Sequence, residues 1–510
     1  MKAYLLTGSS SITAHELLAL GVDVVVCSYD QIEASERAQR TLLEEIDRYN
    51  NDQTGLLGMP KRPNAPLHSS FWREMNLPIK RLILDEAQVI NKETGVRHQA
   101  VLNLFFKAVV LLTGTPAHNK WHDFFGLIHF LRGHPFPTHS LFMKAFATQD
   151  YEGKIGNPDL SRMRLLQRFL QAFTIARPTN ILKLPGVIRY RSSFKLKKEI
   201  EDEVYALYLQ YTQLLSIRKS KSNPGTDMVL NGDDAIALKF AVQAQLMAMH
   251  PMLAEGIEEL KKPDDDFVDN AGDQDDFVRT YVAADKETEG GEARDAWLKR
   301  VHDREGLLAE SNRLCRFLRI YKQLRTSNPN QKILVFSQYL KFLDIIDEAM
   351  MRVFNVKCLR FDGTVSHHQR AKVQQDFKDS DPKVPLLMTV GSGAYGLNVA
   401  HASIVIQCEI WWNLSVEWQA ICRAHRQGQT SEVLAIQLFA SNSAIDHEYL
   451  RVQRIKHDIV SELMEPIIRR HDEEPDIRGL FFPVMISRHA PPSRTHQLPP
   501  ETAVHRRSLQ

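Results

Sequence analysis

Three polar side chains recur in one short stretch of the chain with the spacing of a helical face. Gln419, Arg423 and Arg426 stand at positions i, i+4 and i+7, so a helix there carries all three on one side. Two guanidinium groups and an amide on one face suit a polyanion, because arginine is permanently charged and offers paired donors to phosphate oxygens. A solvated basic face is the simpler alternative for two arginines on a helix.

A pair of carboxylates, Asp85 and Glu86, directly follows the short apolar run Leu82–Leu84. This pattern is typical of a buried parallel strand that delivers acidic side chains to its carboxyl edge, where open α/β sheets bind ligands. The alternative is an exposed Asp-Glu pair at a strand end with no chemical role. The pair alone does not decide between these two interpretations.

Other short blocks also follow apolar, strand-like runs. They are Thr113-Gly114-Thr115-Pro116 after Val109–Leu112, the run Lys332–Gln338 followed by Phe361-Asp362-Gly363, and the glycine-rich Gly391–Asn398 after Val384–Met388. Each block alone is weak evidence, since a Gly-Thr-Pro turn or a glycine-rich loop is common. Their fixed order makes chance a poor explanation.

In this order the blocks resemble the motifs of SWI/SNF-type enzymes, helicase-like DNA-dependent ATPases of superfamily two. Arg81–Gln88 resembles the DExx box, Leu112–Asn119 motif III, Gly391–Asn398 motif V, and Trp411–Gln429 the last ATPase motif. The resemblance implies an α/β fold with two RecA-like parallel-sheet lobes, the first of them incomplete, and a mostly helical connector. It extends over residues 3–460.

The resemblance also implies roles for individual residues. Asp85 is expected to hold Mg²⁺, Glu86 to orient or deprotonate the attacking water, and Arg423 and Arg426 to approach the γ-phosphate of ATP. The remaining nucleotide-binding candidates are Gln88, Thr113, Gly114, Thr115, Gly396, Asn398 and Gln419. Gln88 stands where the family more often has histidine. This difference bears on the coupling of ATP hydrolysis to movement more than on hydrolysis itself.

A P-loop, G-x-x-x-x-G-K-[ST], is missing from the chain. Its lysine and loop amides cradle the phosphates of ATP, so we expect poor nucleotide affinity and very slow hydrolysis without it. Ala3–Gly8 and Asp23–Tyr29 resemble the strands that follow this element in the family. We therefore expect the chain to be amino-terminally truncated, and its first lobe to be loosely packed for want of an interior strand.

The amino-acid composition limits the kinds of protein that this chain could be. Lysine and arginine number 64 against 62 aspartate and glutamate, a formal net charge of +2, so DNA binding must come from local basic patches. Five scattered cysteines lack C-x-x-C spacing and exclude a zinc module such as a RING domain. Neither a signal peptide nor an apolar run of membrane-spanning length is present.

Hydrophobic periodicity predicts four segments. They are a partial first lobe at 1–135, a helical connector with an acidic loop at 136–305, a second lobe at 306–465 and a disordered tail at 466–510. Strands alternating with helices in the second lobe predict a parallel sheet.

Two main functional hypotheses follow. The first is an ATP-driven, sequence-independent translocase on double-stranded DNA that displaces nucleosomes or other DNA-bound proteins in the nucleus. The residues of the motifs are most similar to those of the repair-associated branch of the family. That branch carries a RING domain, which is absent from this sequence. The second is a non-catalytic DNA- or protein-binding remnant of such an enzyme. A metal-dependent hydrolase using His118 and His122 is a distant third, because no third ligand accompanies them.

Overall fold

The computed structural model describes residues 1–8, 10–51, 58–117, 120–149, 155–176, 182–221, 232–255, 291–363, 365, 367–389 and 398–470. Two predicted positions, His118 and Gly396, lie outside these ranges, as does the acidic run at 264–277. Helices and strands alternate in the amino-terminal third and again after residue 330, with a mostly helical stretch between them.

The strands are β1 (Ala3–Leu5), β2 (Val24–Val26), β3 (Leu82–Leu84), β4 (Val109–Leu111), β5 (Thr148–Gln149), β6 (Ile155–Gly156), β7 (Val187–Phe194), β8 (Lys332–Ser337), β9 (Leu359–Phe361), β10 (Leu386–Thr389), β11 (Ala402–Gln407) and β12 (Val433–Ala440). The helices are α1 (Ala14–Ala19), α2 (Tyr29–Asn51), α3 (Phe71–Glu74), α4 (Val96–Leu102), α5 (Phe124–Ile128), α6 (His139–Phe146), α7 (Leu160–Gln171), α8 (Lys198–Lys221), α9 (Gly232–Met249), α10 (Glu292–Asp303), α11 (Asn312–Ser327), α12 (Leu340–Phe354), α13 (His367–Asp379), α14 (Leu414–Ile421) and α15 (Ala444–Arg470). No helix within the described ranges is long and apolar enough to span a bilayer.

The amino-terminal third contains two separate two-stranded parallel sheets. β1 pairs with β2, and β3 pairs with β4. One face packs on the helices through residues such as Leu84 of β3 and Leu6, which follows β1. The other face stays open, since Leu5 is 65% exposed and Ile83 60% exposed. Apolar strand residues thus remain in contact with solvent in this part of the molecule.

The carboxyl-terminal part is built on a six-stranded sheet in the order β7-β12-β11-β8-β10-β9, and every pair in it is parallel. Alternate residues of β8 enter opposite cores, with Ile333 and Val335 on one face and Leu334 and Phe336 on the other. Helices cover both faces, as the continuous apolar strands require. The predicted α/β fold with a parallel sheet is confirmed.

One strand of this sheet was not predicted. β7 lies within the segment assigned to the helical connector, yet it pairs with β12 over eight residues, from Val187 beside Val433 to Phe194 beside Ala440. β7 is an edge strand in which Arg189 and Arg191 alternate with other exposed side chains, so it lacks the apolar run that marks an interior strand. Helices α8 and α9 share one apolar core with the sheet, so connector and sheet form one packed unit.

The predicted tail begins inside a helix. α15 continues through Pro466 to Arg470, so the first residues of the segment expected to be disordered are helical. Residues 471–510 lie outside the described ranges.

A buried arginine connects the elements around the larger sheet. The Arg313 side chain on α11 is fully buried and donates through Nη2 to both carboxylate oxygens of Asp446, at 3.0 and 2.8 Å. It also donates to the carbonyls of Ala248, Cys408 and Leu438 at 3.0–3.3 Å. One guanidinium therefore ties α9, α11, β12, the end of β11 and the start of α15 together, with its charge paired and its donors used.

Replacing Arg313 by alanine is expected to lower the free energy of unfolding by about 3–5 kcal/mol, because the Asp446 carboxylate then stays buried without its cation. Urea denaturation followed by circular dichroism measures the change. Arg319 is exposed on the same helix and is the matched control, for which Arg319→Ala should cost less than about 0.5 kcal/mol. Equal losses at both positions would show that the ion pair adds no stability.

Candidate functional site

The two adjacent carboxylates lie at the carboxyl edge of β3, as predicted. The Tyr29 hydroxyl donates to the backbone carbonyl of Asp85 at 2.8 Å, and the Ala87 N–H donates to the carbonyl of Leu112 at 2.9 Å. Between these two anchors Glu86 adopts a left-handed conformation, with φ 50° and ψ 47°. Such a conformation is uncommon for a residue with a side chain and concentrates at functional sites.

A chain of hydrogen bonds leads from Glu86 to the Thr-Gly-Thr turn after β4. The Gln88 amide nitrogen donates to the Glu86 carboxylate at 2.8 Å, and the Thr113 hydroxyl donates to the Gln88 amide oxygen at 2.6 Å. The Thr115 N–H donates to the Thr113 hydroxyl at 3.0 Å. This amide orientation satisfies both neighbours of Gln88. The glutamine thus bridges the carboxylate and the turn, although the family more often has histidine at this position.

The Thr-Gly-Thr turn keeps one polar atom without a partner. The Thr115 hydroxyl is buried and makes no hydrogen bond among the described residues. Gly114 beside it is exposed, and the space where a Cβ would stand is open. Because buried polar groups in proteins normally have a partner, the unpaired hydroxyl fits a turn that meets a polar ligand.

The predicted helical face that carries the two arginines is wrong in its second half. α14 ends at Ile421, so Gln419 is helical, whereas Arg423 and Arg426 lie in the turns that follow. Gln419 is half-buried, Arg423 is 7% exposed and Arg426 is half-buried. The three side chains therefore do not share one helical face.

Hydrogen bonds to two carbonyls shape the turns that follow α14. The Val399 N–H donates to the Arg423 carbonyl at 3.2 Å, and the Gln429 amide nitrogen donates to the Ala424 carbonyl at 3.1 Å. Gly428 then turns the chain with φ +102°, which glycine adopts without strain. These bonds and Gly428 hold the segment that carries the two arginines in turns.

The charge of Glu86 reaches the arginine loop. Burial lowers the pKa of the Arg423 guanidinium, and the charge of Arg426 lowers this pKa further, whereas the Glu86 carboxylate opposes both effects. Arginine stays charged despite such a shift. The Glu86 carboxylate thus acts on a guanidinium that lies more than three hundred residues later in the chain.

Other predicted residues have smaller roles in the described structure. Asn398 is exposed, and its side-chain oxygen accepts a hydrogen bond from the Ala400 N–H at 3.3 Å. His122 Nδ1 lies 3.3 Å from His139 Nε2, and burial lowers the pKa of His122 to about 3. Among the described residues no cluster of three or more potential metal ligands occurs, so nothing supports the zinc hypothesis there.

The tryptophans of the last motif are structural. Trp411 and Trp412 are buried in the sheet core with ring centroids 5.0 Å apart. The Asn413 side-chain oxygen caps α14 by accepting from the Ser415 N–H at 3.0 Å, a common start for a helix. Together they fix where α14 begins and hence where the arginine loop lies.

A buried carboxylate that the sequence analysis missed stands just before these tryptophans. Glu409 follows β11, and one of its oxygens accepts from the Gln338 N–H at 2.5 Å. Its other oxygen is buried without a hydrogen-bond partner among the described residues. Burial raises the pKa of Glu409 to about 7, against smaller lowering effects of the Gln338 N–H and the Arg313 charge. No sequence signal marks this residue, because the shift depends on complete burial.

The site fits part of a magnesium–nucleotide complex. The exposed Asp85 carboxylate is a hard oxygen ligand of the kind Mg²⁺ prefers. The unpaired Thr115 hydroxyl and the guanidiniums of Arg423 and Arg426 suit phosphate oxygens. The residues therefore fit the metal and a terminal phosphate, whereas the chain has no G-x-x-x-x-G-K-[ST] sequence to cradle the remaining phosphates.

Comparisons with known proteins find two family models on separate stretches. The SNF2-related domain matches residues 2–239, and the helicase conserved C-terminal domain matches residues 311–428. The DNA repair protein RAD5 of Yarrowia lipolytica is 26% identical over 459 residues, which cover 74% of this chain and 43% of that protein. RAD5 of Cryptococcus neoformans is 25% identical over 554 residues, covering 86% of this chain and 43% of the relative. The chain thus spans less than half the length of these relatives.

A solved structure, the C-terminal part of the Fun30 ATPase domain, aligns with 56% of this chain and 99% of its own. Its sequence identity is 18% and its TM-score is 0.36. A likeness this weak carries no argument about the fold or the site.

Thr113→Val is expected to lower the free energy of unfolding by about 1–2 kcal/mol, because it keeps the side-chain shape but leaves the Gln88 amide oxygen without its donor. Thr115→Val is the matched control. Its hydroxyl has no hydrogen-bond partner in the described structure, so its removal should be neutral or slightly stabilising. Urea denaturation of both variants is the measurement, and equal losses would contradict the hydrogen-bond chain.

Glu409 is expected to make stability depend on pH. Its pKa of about 7 lies above the ordinary value of 4.5, so its stabilising contribution is complete below pH 4.5 and is lost as the pH rises toward 7. The protein should therefore lose about 3 kcal/mol over this range that a Glu409→Gln variant retains.

Free energies of unfolding in urea, measured for both proteins at pH 4.5 and pH 7.5, give this difference. Glu432→Gln serves as the control, since Glu432 is exposed and its variant should follow the parent protein. Parallel profiles for the Glu409→Gln variant and the parent would show that Glu409 has the same pKa in the folded and unfolded states.

Proposed function

We propose that this chain, which carries the SNF2-related and helicase C-terminal domains of an SNF2-type helicase-like ATPase, drives ATP-dependent movement along double-stranded DNA. The observation that carries the proposal is the Asp85–Glu86 pair at the end of β3, whose Glu86 carboxylate is joined to the Thr-Gly-Thr turn by hydrogen bonds through Gln88. An acid that activates water and an arginine that neutralises phosphate charge are the two parts that ATP hydrolysis requires of opposing lobes.

Each group has a proposed task at the site. Asp85 holds the metal, and Mg²⁺, when bound, neutralises charge on the phosphate oxygens. Glu86 orients the attacking water and accepts its proton, while Arg423 and Arg426 stabilise the charge on the transferred phosphoryl group. Gln88 and Thr113 carry the state of the Glu86 carboxylate to the Thr-Gly-Thr turn through the bonds at 2.8 and 2.6 Å.

The proposed DNA partner is recognised through its phosphates. Movement along a duplex requires contacts that repeat with every step, and only the sugar–phosphate backbone provides them regardless of sequence. Binding is therefore expected to be independent of sequence and to weaken steeply with salt. The near-neutral charge balance of the chain confines these contacts to local basic patches.

The biological setting follows from the relatives. Both RAD5 proteins are named as DNA repair proteins, so we infer a nuclear role in repair, through remodelling of DNA-bound proteins or chromatin. The chain spans 43% of either relative, so this role is proposed from those proteins as wholes.

The alternative is a non-catalytic module that binds DNA or a protein partner. Two observations favour it. The chain contains no P-loop sequence, and apolar residues of its first sheets, such as Leu5 and Ile83, are exposed. In this case Arg423 and Arg426 serve anion binding without turnover.

ATP turnover by the purified chain, with Mg²⁺ and with or without duplex DNA, tests the proposal. We expect slow turnover that DNA stimulates and that Glu86→Gln reduces by about 100-fold or more, because the variant cannot accept a proton. Glu74→Gln, on an exposed carboxylate of α3, is the control and should leave the rate unchanged.

DNA binding by the same proteins, measured by fluorescence anisotropy from 50 to 200 mM salt, separates the two candidates. Under the proposal Glu86→Gln binds DNA as the parent chain does and fails only in turnover. Salt-sensitive DNA binding with no turnover in any protein would support the binding module.

A further inference from the structure

The last helix of the described chain crosses from the larger sheet to the amino-terminal part of the molecule. α15 begins directly after β12, where Ile445 and Tyr449 lie in the core of that sheet. Its far end is buried in a different core, together with residues of α5, α6 and α7. Val460, Leu463 and Ile467 supply that contact, so one helix belongs to two separate hydrophobic cores.

The far end of α15 contains an interior proline. Pro466 has no backbone N–H, so it cannot donate to the carbonyl of Glu462 one turn earlier. The side-chain amide nitrogen of Gln167 on α7 donates to that carbonyl at 2.9 Å. A hydrogen bond that the proline removes from the helix is thereby replaced from the neighbouring helix.

A second amide repeats this arrangement one turn further on. Gln171 donates through its amide nitrogen to the carbonyl of Pro466 at 3.1 Å. Gln167 and Gln171 are four residues apart, as are their acceptors Glu462 and Pro466. Two donors thus meet two acceptors at the same helical spacing, which specifies one register, whereas apolar packing alone tolerates sliding.

The core that receives α15 is continuous with the Thr-Gly-Thr turn. Ala117 and Trp121, which follow that turn closely in sequence, are buried in it with Leu463. At the other end of α15, the Gln453 amide nitrogen donates to the Glu417 carboxylate at 2.7 Å, and Glu417 lies on α14 before the arginine loop. α15 therefore contacts the structural supports of both parts of the candidate site.

We propose that α15 is a strap that holds the amino-terminal part of the molecule against the larger sheet, and that Pro466 and Gln167 form the lock that sets its register. Pro466 leaves the Glu462 carbonyl without its helical donor, and the Gln167 side chain donates a hydrogen bond to that carbonyl. The proposal concerns how two parts of the molecule are held together, and it does not require nucleotide turnover, so its test stands apart from that of the proposed function.

A double-mutant cycle on the whole chain, without nucleotide, tests the lock. The probe is amide hydrogen exchange in α7 and in residues 456–468, which reports the opening of the α7–α15 contact. In the parent protein Gln167→Ala should speed exchange there by about fivefold, because the Glu462 carbonyl loses the donor that replaces the missing N–H of Pro466. In a Pro466→Ala background the helix supplies its own donor, so Gln167→Ala should speed exchange by less than about twofold.

Gln171→Ala is the matched control. Its acceptor, the carbonyl of residue 466, is present whether that residue is proline or alanine, so its effect should be the same in both backgrounds. Equal effects of Gln167→Ala in the two backgrounds would overturn the proposal, as would the absence of any effect in the parent protein. The cycle also cancels the loss of side-chain packing, which occurs in both backgrounds.

Discussion

The architecture depends on one charge that is buried far from water. The Arg313 guanidinium is fully buried and is paired with Asp446, and its remaining donors reach three backbone carbonyls on different elements. A buried cation of this kind must keep all its partners in place at once. Because one of those carbonyls belongs to Cys408, just before the tryptophans of the last motif, the position of the arginine loop depends on this pair as well.

The candidate site is assembled from parts that the chain separates by more than three hundred residues. The carboxylate pair is set by a short strand and by a left-handed glutamate. The arginine loop follows α14, and its Arg423 and Ala424 carbonyls accept hydrogen bonds from Val399 and Gln429. Each half is held rigidly by its own hydrogen bonds. α15 contacts the supports of both halves, through Leu463 in the core beside the Thr-Gly-Thr turn and through Gln453 on Glu417.

Residues whose patterns are local could be predicted from the sequence. Strands such as Leu82–Leu84 and Lys332–Ser337 are recognisable as apolar runs in the sequence. Their parallel arrangement follows from the helices between them. β7 could not be predicted in this way, because an edge strand carrying Arg189 and Arg191 has no apolar run. The shape of the loop after α14 depends on Val399, and the lock at Pro466 depends on Gln167. Both result from tertiary partners that no local pattern records.

The pairing of β7 with β12 has a consequence for synthesis of the chain. Arg191 contacts Gln437, its neighbour across 246 residues of sequence, so the partner of β7 is made about 10–50 s after β7 itself at ordinary elongation rates. During that interval the strand has an open edge on which another nascent chain could pair. Charged residues at alternate positions discourage such pairing. Arg189 and Arg191 therefore place charge on this strand throughout the interval in which its partner is missing.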